Sequence, residues 1–261
     1  MLLRRITEHV QQQNWMAVVI DFVIVVVGVF IGIQVANLNE MRIENQKSAR
    51  FTERLIDDLR LEAWSFVFSR EYYGDVLASA ARAVSALEGE TELSDEELLI
   101  NAYRATQFKS PPKARATYDE LISTGAMYLI RDVSLRELAA NLYGITEFEE
   151  KRNDEERSTP YRLLFRMIMP IEIQHTLLRT CGDRQFVRRD YASIRNMLDY
   201  ACSTGLSEQQ IASAANTLRT HPDVLPYLRL RMADIETRLT DTDPTGDSWL
   251  AQLREIAPEM P

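Results

Sequence analysis

Trp15-Met-Ala-Val-Val-Ile-Asp-Phe-Val-Ile-Val-Val-Val-Gly-Val-Phe-Ile-Gly-Ile-Gln-Val-Ala36 is the stretch that decides how this chain is built. At 1.5 Å per helical residue the run reaches ~33 Å, enough to cross the ~30 Å hydrocarbon core of a bilayer. Fourteen of the residues from Met16 to Ala36 are Val, Ile or Phe. On an insertion scale they contribute roughly 4–8 kcal/mol, against at most ~3 kcal/mol for one central aspartate. Asp21 lies off-centre and costs less. The run therefore predicts a transmembrane helix over residues 15–36, with residues 1–14 as a cytoplasmic tail. A cleaved signal peptide fits less well. Its n-region would be unusually long, and a cut after Ala36 would put Gln34 where a small residue is wanted.

Arg4 and Arg5 favour an N-terminus inside, whereas Arg42, Lys47, Arg50 and Arg54 crowd the other flank. Long domains cross largely regardless of charge and a short tail with two arginines crosses poorly, so the main domain is expected outside. For a bacterial cell this means the inner membrane, with a periplasmic domain. The span also has a face, because Asp21, Val25, Gly28, Gly32, Ala36 and Asn39 recur at helical spacing. Gly28 and Gly32 form G-x-x-x-G, which lets two helix backbones approach closely. The partners this implies are the lipid bilayer and either a second copy or another membrane protein. The bland alternative is that glycine is common in spans and that Asp21 snorkels to the headgroups.

Residues 25–40, Val-Val-Val-Gly-Val-Phe-Ile-Gly-Ile-Gln-Val-Ala-Asn-Leu-Asn-Glu, resemble the N-terminal signature of an uncharacterised family of bacterial single-span membrane proteins, whose helix ends in a Gln-x-x-Asn-x-Asn-Glu run. Leu38 stands where many members carry Trp. Thr117 to Arg136 resembles a later pattern of the same family. The resemblance implies a membrane-anchored helical protein and no particular activity.

The net charge of −9 gives no electrostatic support for nucleic-acid binding, which needs a basic face. Only nine glycines and nine prolines occur in 261 residues, a composition that favours helices. The predicted fold is all-α, with one transmembrane helix continuing into a soluble helical bundle. Phe51, Leu55, Leu59, Ala63 and Phe66 recur at helical spacing, so residues 37–90 read as a long amphipathic helix that packs into a bundle or carries a dimer seam. Residues 91–261 read as the helical extracytoplasmic domain. Capping boxes at Ser94–Glu97 and Ser134–Glu137 predict helix starts, and Gly125 a stop. Pro160 opens a further helix with Met167, Ile168, Ile171 and Leu177 on its apolar side, and others begin at Asp190, Ser207, Pro222 and Asp247. The charged run Glu147–Arg157 reads as a solvated face or loop.

Cys181 and Cys202 are either a disulfide or two unpaired buried thiols. A bridge requires residues 182–190 to run largely extended, because one continuous helix would hold the sulfurs ~25 Å apart. Asp241, Asp243, Thr245 and Asp247 have the odd-position oxygens of an EF-hand loop, with Gly246 at the sixth place. Gln252 replaces the closing glutamate, so a plain interhelical turn is the simpler reading. Ser110 and Lys113 have the S-x-x-K spacing of penicillin-recognising enzymes, with two prolines between them and no Lys-Thr-Gly. His175, His221 and His9 read as structural or surface residues, and the Tyr118–Gly125 polar cluster as a helix with its stop. No cofactor motif or named catalytic motif is present. Three classes of function suit this architecture: an interaction, scaffold or assembly partner; an extracytoplasmic ligand sensor signalling through a partner membrane protein; and a periplasmic enzyme.

Overall fold

The computed structural model describes residues 15–111, 113–156 and 158–256. Among them the chain is all-α, with no strand. One helix organises it. α1 runs unbroken from Trp15 to Leu87, 73 residues, or ~110 Å at the helical rise. No proline interrupts it, and its two apolar patterns follow one another without a turn between them. Its N-terminal part is the one described segment long and apolar enough to cross a membrane. From Trp15 to Lys47 no residue is buried; the first that is, Ser48, donates its hydroxyl to the Leu129 carbonyl. The apolar span and the amphipathic segment from Asn37 onward are thus one continuous helix, which ends at Leu87 before a turn containing Gly89 (φ +79°).

The rest of the chain wraps the outer half of α1. α2 (Asp95–Ala105) starts at the Ser94 capping box, whose two reciprocal hydrogen bonds are both formed. α3 (Ala116–Ser123) stops at Gly125, φ +66°, where the Ala126 N–H reaches back to the Leu121 carbonyl. A 3₁₀ turn at Met127–Leu129 leads into α4 (Val133–Glu156). α5 (Pro160–Ile168), α6 (Ile171–Thr180), α7 (Glu208–Thr220) and α8 (Val224–Ile256) complete the bundle.

α8 lies antiparallel beside α1, and three apolar clusters follow one another along the pair. Leu55, Leu59 and Ala63 meet Trp249, Leu250 and Leu253 nearest the span. Trp64, Phe68, Tyr72 and Val76 meet Ile235 in the middle. Ala80, Ala83 and Val84 meet Val224 and Leu228 at the far end, together with α2, α5, α6 and α7. Each buried Leu or Phe side chain contributes ~1.5–3 kcal/mol, so the outer half of α1 is held by tertiary packing rather than by helix propensity.

Four expectations are corrected. No helix starts at Asp190; its carboxylate instead accepts the Ala192 N–H in a local turn (2.9 Å), and Arg189 (φ 70°) and Asn196 (φ 51°) take left-handed backbone that breaks a helix. α4 is capped by Asp132, whose Oδ1 accepts the Leu135 N–H (3.1 Å), so the Ser134–Glu137 pair is already inside the helix. Pro170, which lacks an N–H, splits the segment after Pro160 into α5 and α6, and leaves Met167 and Ile171 exposed. Residues 241–247 are not a turn between two helices, because α8 passes straight through them.

Candidate functional site

The face of α1 comes first, since it is what the chain leaves open. A methyl group built on Gly28 or Gly32 meets nothing within 4 Å, so neither glycine is needed for packing inside the described chain. Ala36 and Asn39 are likewise exposed on the same stripe. Asp21 is half-buried, and its Oδ2 is shielded without a hydrogen-bond partner among the described residues. The tail residues Arg4, Arg5 and His9 lie outside the described residues. What the geometry offers here is a groove of small side chains beside one carboxylate, suited to a second helix.

Two buried arginines of the folded domain, Arg104 and Arg231, meet at the C-terminal end of α2. Three consecutive carbonyls there receive guanidinium donors. Arg231 donates to Ala105 (3.4 Å) and Gln107 (3.2 Å), and Arg162 donates to Thr106 (2.5 Å). The negative end of the helix dipole and its orphan carbonyls are satisfied together. Arg104, on the last turn of α2, is buried and donates to the carbonyls of Cys181 (3.2 Å) and Tyr200 (3.0 Å) and to Cys202 Sγ (3.3 Å). Burial pulls both Arg104 and Arg162 below the usual guanidinium range.

Cys181 and Cys202 are bonded, with Cα atoms 5.6 Å apart. The 20 residues between them hold no helix, which is the condition the bridge imposes on the chain. Asp75 of α1 fixes this segment by accepting the Leu198 N–H (2.9 Å) and the Asp199 N–H (3.3 Å). Asp183 joins it to the core, accepting from Tyr72 Oη (2.8 Å) and pairing with Lys109 Nζ (2.9 Å). Tyr72 is raised far above the usual phenol range by burial and by Asp183, and Tyr103 is pushed up to about 12 by burial. Neither phenol exchanges protons near neutral pH.

Nearer the span, Glu62 is only 3% exposed. Its Oε1 accepts the Ala114 N–H, and Lys113 Nζ stands 4.0 Å from its other oxygen. Burial lifts its carboxyl above the ordinary range, and the Ala114 hydrogen bond and Lys113 oppose that shift. Ser110 and Lys113 sit in a non-helical segment with Lys113 turned towards Glu62, so the first-turn arrangement that S-x-x-K chemistry requires is not formed.

The remaining residues named from the sequence are spread apart. Asp241 and Asp247 lie on α8, where helical periodicity points alternate residues around the axis instead of converging them on one ion. Asp247 pairs with Arg70 (3.1 Å); the side chains of Asp243 and Thr245 lie outside the described ones, as do those of the Glu147–Arg157 run. Among the described residues no group of three His, Cys, Asp or Glu could hold a metal. His175 is exposed, and His221 follows α7, its Nδ1 accepting the Asp223 N–H (3.3 Å). Tyr118 packs on Tyr143 at 4.6 Å, Asp119 pairs with Arg115, and Glu120 pairs with Arg54.

Sequence reading missed the arginine cluster, although one signal was there. Leu228, Arg231, Ile235 and Arg238 continue a single stripe at 3-4-3 spacing. A charge on an apolar stripe marks a buried ion or hydrogen bond. Comparison with family models, with curated proteins and with solved structures finds no match to this chain.

Proposed function

We propose that the protein is a single-pass membrane protein that acts as an interaction or assembly partner, through the small-residue face of α1. In this reading the main domain lies on the periplasmic side of a bacterial inner membrane, with the N-terminus inside. Arg4 and Arg5 ahead of the span support that orientation, and a disulfide in the outer domain suits an oxidising compartment. The resemblance of residues 25–40 to an uncharacterised single-span family points to the same class of protein.

One observation carries the reading. α1 runs without a break from an open Gly28–Gly32 groove into the centre of the folded domain. Two such helices brought together in the membrane fix the relative orientation of whatever their outer ends carry. The test labels two populations of the full chain with donor and acceptor fluorophores and reconstitutes them together. Energy transfer that drops with Gly28→Leu or Gly32→Leu supports association through this face. Transfer that both leave unchanged, or no transfer combined with no captured membrane partner, ends the proposal.

A further inference from the structure

From Thr117 to Arg131 the chain descends the flank of α1 towards the span. The Thr117 N–H donates to Asp58 (2.9 Å), Glu120 pairs with Arg54 (2.7 Å), the Leu129 carbonyl accepts from Ser48 (2.5 Å), and Arg131 donates to Asn45. Taken as heights on one helix, these contacts make the 3₁₀ turn and its neighbours the lowest level of this flank. Asn45 is nine residues beyond Ala36, a rise of ~14 Å.

The side chains at that level are not those of a water-facing surface. Tyr128 is 67% exposed and Val133 53%; Ile122, 55% exposed, stands higher, between the Arg54 and Ser48 levels. Just below them on α1, Leu38, Met41 and Ile43 are exposed as well. Charges nearly cancel, with Arg42, Lys47 and Arg131 set against Glu40, Glu44 and Asp132. Along α1 no aromatic occurs between Phe30 and Phe51, so the helix itself brings no aromatic anchor to the exit interface.

We infer that this base is a membrane-docking surface, with Tyr128 and Val133 seated at the headgroup layer of the bilayer that α1 crosses. The inference rests on Trp15–Ala36 spanning a membrane, and it does not depend on helix association. The helix commits the occupant to lipid, because it holds this face towards the bilayer at a fixed short distance. The headgroup layer extends ~5–8 Å beyond the hydrocarbon, which leaves a gap of ~6–9 Å below Asn45 and of ~10–13 Å below Ser48, the level of Leu129 beside Tyr128. A span of ~33 Å is longer than a ~30 Å core and is accommodated by tilt, ~20° on average. A side chain one to two helix diameters from the α1 axis, ~15–20 Å, is lowered ~5–7 Å by such a tilt. Tilting towards the apolar base closes most of the gap at Asn45 and about half of it at Ser48, which brings Tyr128 to the outer edge of the headgroup layer, where an amphipathic ring is favoured. With charges balanced, docking shows little dependence on salt or on anionic lipid.

Three single variants of the full chain test it, each spin-labelled at one introduced thiol and reconstituted in zwitterionic vesicles: Val27→Cys in the span, Tyr128→Cys at the base, and Met167→Cys at an exposed position of α5. Collision with oxygen, which concentrates in lipid, is compared with collision with a water-soluble nickel chelate. The expected order of the oxygen-to-chelate ratio is residue 27 highest, 128 intermediate and several-fold above 167. A ratio at 128 equal to that at 167 overturns docking while leaving the span intact. Shielding of 128 from both reagents assigns the face to a protein partner and also overturns it. A water-like ratio at 27 overturns the span and this inference together. Docking that survives Gly32→Leu separates it from the association reading.

Discussion

Arg231→Met is the substitution that asks most of the outer domain. Arg231 is 2% exposed, and two of its donated hydrogen bonds serve the Ala105 and Gln107 carbonyls at the end of α2. Methionine keeps the aliphatic stem and removes only the guanidinium. Hydrogen bonds from a charged donor contribute ~1.5–3 kcal/mol each, and buried carbonyls left without a donor cost ~1–3 kcal/mol. Against that, the variant no longer buries a cation, which returns part of the loss. The net expectation is a destabilisation of about 2–4 kcal/mol. The control stands two residues earlier on the same helix. Arg229 pairs with Glu88 in the open, with more than half of its side chain exposed, and Arg229→Met should cost less than ~1 kcal/mol. Denaturant unfolding of the full chain in mild detergent, followed by the fluorescence of buried Trp64 and Trp249, measures both. An Arg231→Met loss below ~0.5 kcal/mol, or one no larger than that of Arg229→Met, would refute the capping role assigned to the buried arginine.

Glu62→Gln should flatten one limb of the pH profile. Burial raises its folded carboxyl pKa above the ordinary 4.5, so the unfolded chain ionises first and stability falls as pH climbs from there through the raised value. Gln keeps an acceptor for the Ala114 N–H and does not titrate, so the variant loses that slope in unfolding measured across acidic to neutral pH. Glu96 works in the opposite sense. Hydrogen bonds from Thr204 hold its pKa down, so its contribution is present above about 4.5 and fades as pH drops through the depressed value; Glu96→Gln should reduce the sensitivity to acid. Cys202→Ser, read by the same denaturant assay, should cost about 3 kcal/mol for a loop of this length. Reducing agent should have the same effect on the natural chain and none on the variant.

What could be read from the sequence divides along a physical line. Features set within a few residues were legible: the long apolar helix by its composition, the helix start at Ser94–Glu97 by a box that closes on itself, and the stop at Gly125 by the left-handed backbone it permits. Features set by distant partners were not. The segment after Cys181 has enough apolar residues for a helix, but Asp75, Tyr72 and the bridge to Cys202 draw its backbone away from one. Pro244 and Gly246 argue for a turn, yet α8 continues because Trp249, Leu250 and Leu253 must reach Leu55 and Leu59 on α1. Asp132 and Ser134 both suit an N-cap, and only the path of the preceding 3₁₀ turn selects the first. The stripe of α8 signals that Arg231 is buried, but what it bonds was hidden for the same reason, since the Ala105 and Gln107 carbonyls lie more than a hundred residues away.

The continuity of α1 bears on what its apolar end can transmit to the folded domain. A hinge between span and domain would let the membrane segment rotate while the outer domain stayed indifferent. Here the residues from Asn37 to Lys47 are exposed helix with neither glycine nor proline. The same axis then enters a core where Leu55, Leu59, Trp64 and Phe68 are wholly buried. A turn of the apolar end of the helix therefore has to turn the packed domain with it or break helical hydrogen bonds in between. Replacing Glu44-Asn45 by Gly-Gly would install the missing hinge at a cost of roughly 1 kcal/mol per residue in helix stability. If the helix transmits orientation, that variant keeps the association of its spans while the energy transfer between labels on the outer domains broadens and weakens. If transfer between outer domains stays as narrow as in the natural chain, the domains hold one another directly and the helix is only a tether.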